Sequence, residues 1–405
     1  MRQVGPPRGI LSTTAPMNII PKPISNTFIH FVGSEKSGGI LLIGCTIISL
    51  MLANSSVAEA YLHFWHMPLA GLSVELWIND ALMAIFFLLI GLELQREIYS
   101  GELSTVRGAL LPMVAAVGGI AVPALIHFAF NGGTTSQAGM GIPMATDIAF
   151  ALAVLMLLGS AIPTSLKVFL TALAVMDDLG AIMVIAGFYT STLAPLYLLG
   201  ALLVFASLLG MNRVLRVRAL SPYLIGGAVM WLFMLKSGVH ATIAGVLLAF
   251  AIPYSTTDED QESPSHRLED FLHTPVAFVI LPIFALANTG IAVGAGWMQE
   301  LASHNSLGIL AGLVLGKPLG ITLACLLAVA VGLCALPPDL KWRHVVGGGM
   351  LGGIGFTMSI FITNLAFSND PALINASKMA ILLASLLAGV LGFIWLKLFG
   401  KPANP

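Results

Sequence analysis

Three aspartates and one lysine stand where ionisable side chains are costly. Asp147 lies in Pro143-Met144-Ala145-Thr146-Asp147-Ile148-Ala149-Phe150, the adjacent Asp177 and Asp178 in Ala174-Val175-Met176-Asp177-Asp178-Leu179-Gly180, and Lys317 in Leu315-Gly316-Lys317-Pro318-Leu319. Each sits in a long apolar run, as does a further acid, Asp80. At the centre of a membrane-spanning helix such a group costs at least about 2.5–3.5 kcal/mol, so its retention points to function. Clustered carboxylates in a low dielectric cannot all ionise, because burial and mutual repulsion both favour the protonated form. The cluster therefore holds protons or a cation, and hard carboxylate oxygens suit Na⁺ or Li⁺. Competition between ion and proton for one site gives exchange, provided that access alternates between the two sides. The buried Lys317 ammonium must pair with an acid or lose its proton, and Asp177 or Asp178 is the economical partner. Its Gly-Lys dipeptide lacks the following Ser/Thr and the glycine spacing of a phosphate-binding loop, which excludes a nucleotide site.

The elements that carry these residues can be placed by counting. A turn centred near Ile162-Pro163 leaves Asp147 and Asp177 each 15 residues from Ile162. At about 1.5 Å per residue both lie roughly 22 Å from the turn, level with one another near mid-bilayer. Asp177 and Asp178 project about 100° apart around their helix, so their roles differ. Helix breakers stand at the same depth. Gly141-Ile142-Pro143 precedes Thr146-Asp147 in the fourth span, and Gly347-Gly348-Gly349 with Gly352-Gly353-Ile354-Gly355 interrupts the eleventh. Broken helices in corresponding halves mark transporter sites, because unwound carbonyls and half-helix ends supply dipoles at the midplane. Spans three to five and ten to twelve are the two candidate units, of opposite orientation. The GxGxxG formed by Gly347, Gly349 and Gly352 follows no strand and is accidental.

Composition agrees. Of 405 residues, 57% are hydrophobic and 9% charged, against about 25% charged in soluble domains. That is hydrophobic material for about eleven or twelve spans of roughly 20 residues. The expected fold is all-α and polytopic, with twelve transmembrane helices. They run roughly Ser37–Val57, Val74–Glu97, Arg107–Phe130, Gly141–Gly159, Thr164–Tyr189, Leu193–Met211, Pro222–Leu235, Ser237–Pro253, Phe271–Val293, Ser306–Gly332, Trp342–Phe367 and Pro371–Leu398. This count puts fifteen of the 18 basic residues on one side, which makes both termini cytoplasmic. A cytoplasmic segment 1–36, one transmembrane domain 37–398 and a tail 399–405 result, with an acidic cytoplasmic loop at about 254–270 holding Asp258, Glu259, Asp260, Glu262, Glu269 and Asp270. No apolar leader with a small-residue cleavage site is seen near the N-terminus. A net charge of −1 offers no face for nucleic acid. Cys45, Cys325 and Cys334 have no metal-ligand spacing and read as small hydrophobes.

Several stretches occur in order along the chain: Trp77-Ile78-Asn79-Asp80-Ala81-Leu82-Met83, Gly91-Leu92-Glu93 with Arg96-Glu97, Ala145 to Leu152, Asp177 to Ile182, Lys236 to Thr242, Leu281 to Asn288 and Gly355-Phe356-Thr357-Met358-Ser359-Ile360-Phe361. From about Ser37 onward the chain resembles the bacterial NhaA sodium/proton antiporter family. The resemblance implies a crossed, discontinuous-helix fold in the bacterial inner membrane, built of inverted repeats with spans 4 and 11 broken at Gly352, Gly353 and Gly355 and around Thr146-Asp147. It implies electrogenic exchange, with more than one H⁺ entering for each Na⁺ or Li⁺ expelled, in the service of salt tolerance and pH homeostasis. Asp178 would be the principal ligand of the transported Na⁺ and Asp177 the second acid, with Lys317 its charge-compensating partner. Thr146 and Asp147 would line the site, and no cofactor is implied. The family's pH-sensing positions match Glu93, Arg96, Glu97, Glu269 and His273, and His240 matches a motif position.

Departures concern the outer side and the sensor. Family members carry an extracellular β-hairpin used for dimer contact, whereas Tyr61 to Glu75 is short here, so a homodimer would have a weakened hairpin contact. Gln95 and Asp270 replace a basic residue and a histidine near the sensor positions. The rival readings are a sodium-coupled organic-acid symporter of related fold and a cation channel. The adjacent aspartates with Lys317 favour proton exchange over the first, and the absence of carbonyl-filter features weighs against the second. An enzyme is not expected, since no HExxH or GxSxG motif is present.

Overall fold

The computed structural model describes residues 26–159, 162–189, 193–255 and 263–400. Apart from one small hairpin the described residues are mostly helical. The helices are α1 (Asn26–Ala53), α2 (Ala58–His66), α3 (Val74–Tyr99), α4 (Val106–Asn131), a 3-10 segment Thr135–Met144, α5 (Ile148–Leu157), α6 (Thr164–Phe188), α7 (Pro195–Arg213), α8 (Leu220–Ser237) and α9 (Ile243–Ala251). They continue as α10 (Pro264–Asn288), α11 (Trp297–Leu301), α12 (His304–Ala330), α13 (Trp342–Gly352), α14 (Phe356–Ala366) and α15 (Pro371–Phe399).

Among the described residues eight helices are long and apolar enough to cross a membrane, and up to eleven spans result if each of three bent pairs counts as one. The shortfall from twelve lies at Ser237–Pro253. Gly238 adopts φ 84° and ends α8, a left-handed conformation that costs glycine nothing. The helix resumes only at Ile243, and its nine residues span about 13 Å.

Other boundaries move for local reasons. The first helix begins at Asn26, before the expected start near Ser37. The acidic loop is shorter than expected, because Ser263 accepts the His266 N–H at 3.2 Å and Pro264 occupies the first turn, so Pro264 to Asp270 is helical. Asp258, Glu259, Asp260 and Glu262 lie outside the described residues, as do 1–25 and 401–405. In the fourth span Gly141-Ile142-Pro143 stays inside the 3-10 segment, and the break falls at Ala145-Thr146-Asp147, where the backbone is extended. In the eleventh Gly347–Gly349 remain helical, and the break is Gly353-Ile354-Gly355.

The helix bearing the aspartate pair is central: most of α6 is buried, whereas α7 is largely exposed. Leu166, Leu170 and Leu173 of α6 pack in one apolar core with Leu152 and Leu155 of α5 and Leu351 of α13. Against this core lie α4 and α12, whose backbones touch. A Cβ added at Gly118 would strike the Gly320 carbonyl, and one at Gly320 the Gly118 carbonyl. Gly312 and Gly316 similarly press on Pro143 and Pro123. Small residues allow this close approach, and it brings Lys317 toward α6. Three long helices each contain one π turn, at Trp77–Leu82, Val276–Ile280 and Gly312–Gly316.

The short stretch before α3 keeps a hairpin in minimal form, Pro68–Leu69 paired antiparallel with Leu72–Ser73. Its turn residues Ala70 and Gly71 have φ 49° and 92°, the signs of a primed two-residue turn. Trp77 Nε1 donates to the Leu69 carbonyl at 2.8 Å and the ring stacks on Trp231.

Candidate functional site

The two breaks meet and are tied to one another by hydrogen bonds. The Asp147 N–H donates to the Ile354 carbonyl at 2.6 Å, and Ser359 Oγ donates to the Ile142 carbonyl at 2.7 Å. Asp147 serves both second half-helices. Its Oδ1 accepts the Phe150 N–H at 3.1 Å in the first turn of α5, and its Oδ2 accepts the Thr357 N–H at 3.0 Å and hydroxyl at 2.6 Å in the first turn of α14. Helix N-termini expose unsatisfied N–H groups and partial positive charge. One carboxylate answers two of them.

Thr146 connects this junction to α6. Its hydroxyl lies 2.7 Å from Asp177 Oδ2 and 2.8 Å from the Gly352 carbonyl. Carrying one proton, it donates to one of them at a time. Lys317 Nζ donates to the same Asp177 Oδ2 in an ion pair that is completely buried on both sides. Of the two partners considered for Lys317, the bond goes to Asp177. Asp178 is buried as well, and its Oδ1 has no hydrogen-bond partner, nor has Asp177 Oδ1. Gly119 of α4 lies against Ile321 and Asp177, where an added Cβ would stand 3.0 Å from Ile321 Cγ1 and 3.7 Å from Asp177 Oδ1.

Thr146, Asp147, Asp177, Asp178, Lys317 and Gly352 thus form one cluster, with Gly353 and Gly355 in the break beside it. Buried oxygens without partners are costly, and two carboxylate oxygens on adjacent residues are hard donors for a small cation or acceptors for a proton. Among the described residues no three His, Cys, Asp or Glu side chains converge as a metal site.

A second charged cluster joins α3 to α10. Arg96 Nε donates to Glu269 Oε1 at 2.8 Å, and its Nη1 stands 3.2 Å from Glu97 Oε1. His273 bridges Glu93 at 3.7 Å and Glu269 at 3.8 Å. The five sensor candidates on these two helices are brought together. His266, not singled out from the sequence, joins them, 4.0 Å from Glu269 and 3.6 Å from Asp270. Its place three residues before Glu269 on a helical turn was the available signal. Gln95 donates to the Ile252 carbonyl and accepts from Ser265, which ties the helices without charge. His240 stands apart, with Nε2 2.8 Å from the Tyr189 carbonyl.

Sequence reasoning also passed over Thr357 and Ser359 as site residues, and over a chain of amides. Asn288 Nδ2 donates to Asn79 Oδ1 at 2.8 Å, and Asn364 Nδ2 donates to Asn288 Oδ1 at 2.6 Å. This chain links α3, α10 and α14.

Comparison with known proteins adds lineage to this geometry. Residues 29–396 match the family model described as Na⁺/H⁺ antiporter 1. The chain is 68% identical over 381 residues to the Na(+)/H(+) antiporter NhaA of Dechloromonas aromatica, covering 94% of this chain and 98% of that one. It is 59% identical over 374 residues to the Na(+)/H(+) antiporter NhaA of Flavobacterium psychrophilum, covering 92% and 96%. A solved structure of the sodium proton antiporter MjNhaP1 from Methanocaldococcus jannaschii at pH 8 superposes with a TM-score of 0.52 at 13% identity, over 92% of this chain and 96% of that one. At that identity the match speaks for the fold.

Proposed function

The chain belongs to the Na⁺/H⁺ antiporter 1 family, and from that premise we propose that it exchanges Na⁺ or Li⁺ for more than one H⁺ at the Asp177–Asp178 pair, electrogenically and under the control of pH. Sodium/proton exchange across the membrane by a multi-pass helical carrier is the activity of the family. The residue assignments, the stoichiometry and the regulation are our reading.

The observation that carries it is the buried Asp178 Oδ1, without a partner, next to an Asp177 whose other oxygen is shared by Lys317 and Thr146. A cation arriving at Asp178 recruits Asp177 Oδ1 and the Thr146 hydroxyl as further oxygens. As Asp177 turns toward the cation, its hold on Lys317 weakens. Protonation of Asp178 with restoration of the Lys317–Asp177 pair reverses these steps. Two buried acids, Asp177 and Asp178, thus answer one cation, which supports a ratio above one. Asp147 keeps the two half-helix N-termini in register and lines the site.

The finer architecture follows the same reading. Twelve crossings are reached if Ile243–Ala251 completes a span with its flanking residues. The two bent pairs, which turn through 44° and 46°, are the crossed discontinuous helices of inverted repeats. We place the protein in the bacterial inner membrane with both termini cytoplasmic, as a homodimer with a small hairpin contact, and with no cofactor and no nucleic-acid partner. Glu93, Arg96, Glu97, Glu269 and His273 form the regulatory cluster at the cytoplasmic mouth, with His240 a separate titratable position.

The test is collapse of a preformed pH gradient in everted vesicles that lack other antiporters. Na⁺ and Li⁺ are expected to collapse it, K⁺ is not, and the effect grows with alkalinity. Asp178→Asn should abolish the collapse while the protein still inserts. Retained exchange in that variant would sink the ligand assignment.

A further inference from the structure

Between α1, α5 and α15 lies a cavity of about 400 Å³ that reaches inward to the break between α13 and α14. Its inner wall is Ile354 and Phe356, the residues on either side of Gly355. Its rim is apolar and open: Ile47, Leu157 and Leu386 are 52, 62 and 64% exposed. No charged residue lines it, and its polar side chains are engaged. Thr46 donates to the Leu42 carbonyl at 2.8 Å, and Ser385 accepts the Phe356 N–H at 3.1 Å.

Depth decides what can fill this groove. Ile354 lies just beyond the eleven residues of α13, about 16 Å of helix, which is half of a hydrocarbon core of roughly 30 Å. A water-soluble partner does not reach that level, and the medium outside the rim is hydrocarbon. The shape is a slot between three helices, suited to a flexible chain. The groove is walled by α1, α5 and α15, beside the point where α1 itself packs on α5 and a Cβ added at Gly39 would strike the Ala153 side chain. Any displacement of α5 and α14 relative to α1 alters its volume. A fluid occupant follows such a change without leaving a void, which a fixed side chain cannot do.

We propose that this groove is a binding site for one acyl chain of a membrane lipid, and that the bound chain forms the outer wall of the break beside Asp147. The inference rests on the transport reading above for its consequence, and on the membrane location alone for its occupancy. The chain would press on Ile354, whose carbonyl holds the Asp147 N–H, and on Phe356, which precedes the Thr357 that holds the Asp147 carboxylate. Lipid composition would thereby act on the junction of the half-helices.

The experiment uses the full chain in nanodiscs of phosphatidylglycerol carrying a mid-chain diazirine. After photolysis, adducts are mapped by mass spectrometry on the groove peptides 150–157 and 382–393 and, for reference, on the lipid-facing Leu199 and Leu203 of α7. Groove labelling is expected to exceed the reference by about tenfold. Gly389→Leu fills the slot from α15, where an added Cβ meets Ile354 Cδ1 at an ordinary 3.5 Å, and should bring groove labelling down to the reference level with α7 unchanged. Val154→Phe fills it from α5 if the first variant does not fold. Groove labelling equal to that of α7, or untouched by both substitutions, overturns the proposal. Na⁺-driven exchange by the same protein in sealed vesicles of the same lipid separates the two readings: exchange without groove labelling sinks the lipid site alone, and groove labelling without exchange sinks the transport assignment alone.

Discussion

Asp147 accepts three hydrogen bonds from two helix ends, and Asp177 accepts from a lysine and a threonine. Neither carboxylate can be altered without orphaning a buried donor. Thr357→Val removes the hydroxyl bond to Asp147 and is expected to cost about 1–3 kcal/mol of stability. Thr357→Ser should restore most of it, and thermal unfolding in detergent reads both. Lys317→Met leaves Asp177 buried without its cation, a loss of about 3–5 kcal/mol. Adding Asp177→Asn to that variant should recover part of the stability and none of the transport. If the double variant is no more stable than Lys317→Met, the pair is not coupled. At this scale the aspartates and Lys317 were legible because a charge in an apolar run stands out. Thr357 and Ser359 were not, since a hydroxyl on a helix is ordinary until its partner, 210 residues distant along the chain for Thr357 and Asp147, is brought next to it.

The elements hold the site through contacts that leave no room. The α4–α12 approach at Gly118 and Gly320 lies one turn from Lys317. Gly320→Ala should push the helices apart, costing about 1–3 kcal/mol by overpacking, and should lower exchange more than Gly210→Ala, where an added Cβ meets nothing within 4 Å. Equal effects of the two would mean that the close approach does not position Lys317. The charged cluster between α3 and α10 gives a second test at this level. Glu269 is the acceptor shared by Arg96 and His273, so Glu269→Gln takes away the anion that joins the helices. The activity profile against pH should then move by about one unit, whereas substitution at exposed Asp270 should leave it nearly in place. The existence of both breaks was legible in glycine and proline, and the resemblance put them close to where they fall, around Thr146-Asp147 and at Gly353 and Gly355. Pro143 fits within a 3-10 turn and glycines 347–349 serve close packing, so the chain opens where Asp147 and Gly353–Gly355 find partners on the other helix.

Across the whole molecule the hydrophobic count and the charge asymmetry made a multi-pass helical fold legible, and the interrupted region Gly238–Thr242 was the main surprise. A cation that binds only the folded carrier must stabilise it by mass action. Na⁺ at a hundred times its dissociation constant should add about 2.7 kcal/mol to unfolding, K⁺ should add little, and Asp178→Asn should erase the difference. A Na⁺ effect that persists in that variant would place the ion elsewhere. The π turns at Trp77–Leu82, Val276–Ile280 and Gly312–Gly316 have a consequence in terms of inheritance. Each holds one residue more than the same turn of an α-helix, so the loss of a single codon there lets the helix close into regular form and keeps the neighbouring turns facing as before. Elsewhere along these helices the same deletion rotates everything beyond it by about 100°. Viable lineages that differ in length by one residue within these spans should therefore have gained or lost it at those three turns.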